Sequence, residues 1–138
     1  MDRQIEEFMN ALGEAERAGG RVLHELGPMA KSAELRELLK KVGHDEGYFA
    51  GEISAHIRRL GGNASNKTGD FVEKVRAVPD LSGKLALLNR GQRWVIRKIT
   101  EQLPSIADAE LHGFLTVMAK AHETNIAAVD SALSAGLD

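Results

Sequence analysis

The chain has 138 residues, 43% hydrophobic and 28% charged, enough for one compact domain over residues 1–138 with a sizeable core. Its formal net charge of −2, with both signs interspersed and no basic or acidic tail, gives no electrostatic case for nucleic acid or an anionic membrane as partner. There is no cysteine, which excludes disulfides, thiolate metal sites and thiol catalysis and fits a cytoplasmic protein.

Met1-Asp2-Arg3-Gln4 leads straight into an amphipathic stretch rather than a long apolar run, so neither a signal peptide nor a membrane span is expected. The first apolar stripe runs Ile5, Met9, Leu12, Glu16, Gly19, Leu23, Leu26 and ends at Gly27, just before Pro28. The second runs Leu35, Leu39, Val42, Glu46, Phe49, Ile53, Ile57, Leu60 and ends at Gly61-Gly62. A turn-forming stretch from Gly61 to Asp70 follows, and Phe71, Val72, Val75 and Val78 then predict a short helix laid over the bundle. The third stripe, Leu81, Leu85, Leu88, Gln92, Val95, Ile99, Leu103, takes Asp80 as its N-cap. The fourth, Leu111, Leu115, Met118, His122, Ile126, Val129, Leu133, has Glu123 on its shoulder and Ser105, with Asp108 three residues on, as its capping box.

Steps of three and four throughout are helical periodicity of the kind that builds bundle cores. Pro28, Pro79 and Pro104 all fall between stripes, where a missing N–H costs least. The first and second helices, and the third and fourth, are thus joined by short turns. The expected fold is all-α: a four-helix bundle of two antiparallel hairpins joined by a long crossover containing a short helix.

Each stripe is broken near its middle by a polar residue: Glu16, Glu46, Gln92, and the pair His122/Glu123. Midpoints meet at one height whichever way the helices run. Buried carboxylates cost several kcal/mol per ion unless a cation, a proton or hydrogen bonds compensate, so convergence of this kind is the arrangement of a metal site within a bundle.

The chain resembles the ferritin-like superfamily, and more closely a bacterial branch of it in which the di-metal carboxylate motif is degenerate. The resemblance is carried by Glu14-Ala15-Glu16-Arg17-Ala18-Gly19, by Ile57-Arg58-Arg59-Leu60-Gly61-Gly62 and by Leu88-Asn89-Arg90-Gly91-Gln92-Arg93-Trp94-Val95. It implies a ferritin-like bundle in which a Glu on the first helix, Glu-x-x-His on the second, a Glu on the third and Glu-x-x-His on the fourth bind two iron or manganese ions. Carried over, the ligands fall on Glu16, Glu46, Gln92 and Glu123, while the histidine positions hold Phe49 and Ile126.

Three carboxylates and one displaced imidazole do not make a conventional dinuclear centre. Two readings stay open: one divalent ion, iron, manganese or zinc, held by Glu16, Glu46, Glu123 and His122, or a relic polar layer with no ion, bonded through Gln92 and neutralised by protons or by Arg90 or Arg93. His44 should face solvent, His24 and His56 flank their stripes, His112 is remote from the layer, and Tyr48 is off-stripe.

Gly43, Gly47, Gly51 and Ala55 recur every four residues, although each mid-helix glycine costs about 1 kcal/mol relative to alanine. Close packing within the bundle is the preferred reading and a homodimer contact the second. The functional alternatives are therefore a ferritin-like protein with a variant metal site and a non-catalytic helical module acting through self-association or a protein partner.

Overall fold

The computed structural model describes residues 1–137. It contains helices α1 (Arg3–Leu26), α2 (Ala33–Arg59), α3 (Phe71–Arg76), α4 (Leu81–Gln102) and α5 (Ala109–Ser134), and among the described residues there is no strand. The four long helices are the four stripes. No helix among the described residues is long and apolar enough to cross a membrane.

Local chemistry sets the ends. The side chains of Asp2, Ser32 and Asp108 accept from the backbone N–H of Ile5, Leu35 and Leu111, each satisfying an N–H that the first turn leaves unpaired. The start of α5 is later than the Ser105 box predicts. Ser105 lies in a 3₁₀ turn, Leu103–Ser105, and the chain is extended at Ile106 so that this side chain enters the core before Asp108 caps the helix. At the end of α2, Gly61 adopts φ 82°, with Gly61 N–H donating to the Arg58 carbonyl and Gly62 N–H to that of Ile57. This double closure needs a left-handed residue, and glycine adopts that conformation without a Cβ penalty.

Core membership fixes the direction of each helix. Met9 and Leu12 of α1, Phe49, Ile53 and Ile57 of α2, Val95 and Ile99 of α4, and Leu111, Leu115 and Met118 of α5 form one apolar cluster. Ala18, Val22, Leu35, Leu39, Val42, Leu85, Leu88 and Val129 belong to the other. Following the chain, α1 and α5 pass from the first cluster to the second, and α2 and α4 the opposite way. Neighbours α1/α2 and α4/α5 are antiparallel, while α2 and α4 run the same way, so the link between them must travel the length of the bundle. Burying a Leu or Ile side chain contributes about 1.5–3 kcal/mol, and it is these clusters that hold the helices together.

That link runs beside α1. Asn10 donates to the Asn63 carbonyl at 2.9 Å and accepts from Ser65 N–H at 2.8 Å, and Arg17 Nε donates to the Lys67 carbonyl at 2.8 Å. Val72 and Val75 of α3 enter the core, and Lys84 Nζ, almost fully buried, donates to the carbonyls of Val75 and Arg76 at 3.1 and 3.0 Å. A cation on the last carbonyls of α3 ties the short helix to α4.

Candidate metal centre

Between the two clusters the four long helices bring together Glu16 from α1, Glu46 from α2, Gln92 from α4 and His122 from α5, none more than 3% exposed. His122 Nε2 stands 2.9 Å from Glu16 Oε1 and 3.6 Å from Glu46 Oε2. One donor atom from each of Glu16, Glu46 and His122 lies within 4.8 Å of the other two. A cation could bridge all three.

His122 Nδ1 donates to the Met118 carbonyl one turn earlier, at 2.9 Å. A carbonyl can only accept, so Nδ1 carries the proton and Nε2 is the nitrogen presented to the carboxylates. Phe49 packs beside the imidazole, ring centres 5.7 Å apart. The amide of Gln92 is also held in place: its Nε2 donates to Asn89 Oδ1 at 3.1 Å, and Asn89 Nδ2 donates to Asp130 at 2.8 Å. Gln92 Oε1 is left without a partner.

Glycine makes room for one of the carboxylates. A Cβ on Gly19 would stand 2.9 Å from Glu46 Oε1, and one on Gly20 3.8 Å from Glu46 Cβ, so α1 meets α2 closely at the height of the site. The expected ridge on α2 packs inside the bundle only at Gly43, whose Cβ would touch Leu23 at 3.4 Å; Gly47 and Gly51 are exposed with nothing within 4 Å. The preferred reading of that ridge is corrected at these two positions. We therefore expect opposite effects from the same substitution. Gly47→Ala should stabilise the fold by about 1 kcal/mol through helix propensity. In Gly19→Ala the overpacking cost of about 1–3 kcal/mol should exceed that gain and lower stability. Urea denaturation of both variants checks this, and equal effects would mean that the contact with Glu46 is unimportant.

Electrostatics follow from burial. Glu16 has a pKa raised well above the ordinary carboxylate value, by desolvation first and by the neighbouring Glu46 carboxylate second. Burial acts to lower the pKa of His122, but its bonds to Glu16 and Glu46 outweigh this and carry it up to about 11. Without an ion the imidazole of His122 is a cation at neutral pH, and Glu16 is pushed towards its protonated form.

Of the residues singled out in the sequence the structure brings Glu16, Glu46, Gln92 and His122 into this layer. Glu123 is not among them. Its side chain is 56% exposed and pairs with Lys120 at 3.7 Å, because one residue along an α-helix is a rotation of about 100° and only His122 faces inward. Phe49 and Ile126 are buried where the resemblance would place histidines. Arg90 is exposed, and Arg93 binds Asp130 at 2.7 Å, so neither arginine neutralises the glutamates; the histidine does. His56 is buried rather than flanking, packed on Phe114 with ring centres 4.7 Å apart and bonded through Nδ1 to Arg59. His24, His44, His112 and Tyr48 are exposed. Asn89, which orients Gln92 from one turn away, went unnoticed in the sequence, although its i, i+3 spacing to Gln92 is legible there.

No significant match is found among curated proteins or among solved structures. Residues 3–131 match a family described only as a domain of unknown function, DUF6306. The match takes in three of the four long helices, α5 as far as Ser131 and every residue of the polar layer, and the chain belongs to the DUF6306 family.

Proposed function

We propose that Glu16, Glu46 and His122 form a binding site for one divalent cation in the core of a ferritin-like bundle, with Gln92 Oε1 as a further oxygen donor on its wall. The observation that carries this reading is the convergence of buried ligand-type atoms that have no partner outside their own cluster. Glu16 Oε1 and Glu46 Oε2 face His122 Nε2 at 2.9 and 3.6 Å with nothing else to satisfy them, and Gln92 Oε1 has no hydrogen-bond partner. Buried polar atoms are normally satisfied, and a cluster of metal-ligand atoms that can turn only to one another fits an ion. Two carboxylates and one imidazole suit one 2+ charge, not two; mixed N and O ligation is compatible with manganese, iron or zinc.

Protein treated with chelator and then given Mn²⁺, Fe²⁺ or Zn²⁺ should melt at a higher temperature, since a ligand bound only to the folded state adds about 2.7 kcal/mol at a hundred times its Kd. Glu46→Ala and His122→Ala should abolish the response, and Glu123→Ala should keep it. Melting curves unchanged by all three ions would remove the proposal.

The exposed Gly47, Gly51 and Ala55, beside Tyr48 at 61% exposure, favour a second reading, a helical module that pairs with itself along α2. Sedimentation velocity separates them: a monomer that responds to metal supports the first reading alone.

A further inference from the structure

A cavity of about 530 Å³ lies between α1, α4 and the crossover, and Glu16, Glu46 and Gln92 form part of its lining. A bare ion needs far less space. The volume falls within the range of about 300–1,000 Å³ typical of pockets that enclose small organic molecules. The rest of the lining is largely small or apolar, Ala15 and Val95 included, and two aromatic residues contribute to it, Trp94 from α4 and Phe71 from α3. Phe71 lies flush against α4 at Gly91, where an added Cβ would stand 3.1 Å from the ring.

The polar end of this cavity is chemically one-sided. Its buried polar side chains are Glu16, Glu46 and Gln92, none more than 3% exposed. Gln92 Oε1 has no partner, Glu16 Oε1 and Glu46 Oε2 face only each other and His122, and the amide nitrogen of Gln92 is already committed to Asn89. The other charged lining residues are Glu14, Asp70 and Lys74, and Lys74 lies 3.6 Å from Asp70, so the balance there is also negative. A ligand that satisfies this lining must bring N–H or O–H donors and no negative charge.

We propose that the cavity binds a small primary amine with an apolar body of aryl-alkyl size, its ammonium directed at the Glu16, Glu46 and Gln92 oxygens and its ring among the apolar lining. This rests on the reading of the polar layer as a ligand-binding site, and not on which cation fills it. An ammonium and a divalent ion use the same oxygens and exclude one another.

Trp94 is the only tryptophan of the chain and lines the cavity, so its fluorescence reports occupancy directly. Chelator-treated protein is titrated with phenethylamine, 2-phenylethanol and phenylacetate, which share a body and differ in head group. Phenethylamine should give a saturable change with a Kd at least tenfold below that of the alcohol, and phenylacetate none. Ala15→Leu, which fills the cavity without touching the polar layer, should remove the response; if circular dichroism shows that variant unfolded, Ala11→Leu serves in its place. Phenylacetate binding as tightly as the amine, no response to any probe, or a filled variant that titrates like wild type would each overturn the proposal. Addition of Mn²⁺ separates the two readings: amine binding with no effect of Mn²⁺ on melting leaves the cavity proposal standing and the cation site refuted, and a melting shift without amine binding does the reverse.

Discussion

Replacing His122 by leucine should destabilise the ion-free protein by about 3–5 kcal/mol, the usual cost of removing one partner from a buried ion pair. In wild type the imidazolium lies 2.9 Å from Glu16 and 3.6 Å from Glu46, and an apolar side chain in its place would leave two carboxyl groups facing each other with nothing between them. Glu16→Gln should behave differently. Burial pushes Glu16 towards the neutral acid, and an amide of nearly the same shape replaces it at a cost within about 1 kcal/mol. Glu46→Leu combined with His122→Leu should recover much of the single-variant loss, because an apolar pair can substitute for a buried ionic one. Urea denaturation in the presence of chelator measures all three. A His122→Leu variant within about 1 kcal/mol of wild type would show that the carboxyl groups tolerate one another unaided.

The parts of this site that the sequence discloses are those written into helical period. Four stripes with mid-helix polar breaks are enough to set Glu16, Glu46, Gln92 and the fourth-helix break at one height, because antiparallel and parallel neighbours share their midpoints. Period sets His122 in the fourth stripe and Glu123 on its shoulder, whereas the resemblance favoured the carboxylate; the structure, with Met118, His122, Ile126 and Val129 all buried, follows the period. Contacts between helices were less legible. Gly43, Gly47 and Gly51 share a helix face, yet the glycine that admits a site carboxylate is Gly19, whose role depends on the rotation of α1 against α2. The ferritin-like kinship stays a proposal, while the all-α bundle and its long crossover are visible in the structure.

Binding of a divalent ion near neutral pH should release a proton, and this is the sharpest consequence of the layer's charge. Without the ion His122 is a cation; to ligate through Nε2 it must be neutral, so its proton leaves as the ion enters. That proton, with the tendency of Glu16 to hold one, sets the pH dependence of the ion-free fold. The pKa of His122 is raised from 6.5 to about 11, so its contribution is fully present below 6.5 and is lost as pH rises through the folded value. The raised pKa of Glu16 acts with the same sign, since the folded state again holds the proton that the unfolded chain releases. Stability without metal should therefore decline with rising pH, by up to about 1.4 kcal/mol per unit for each proton. Metal affinity should climb in the same window, by about tenfold per pH unit where the His122 proton is displaced. Calorimetric titration of Mn²⁺ in buffers of different ionisation enthalpy counts the protons directly. Affinity independent of pH in the wild type would contradict the assignment of His122 as a ligand.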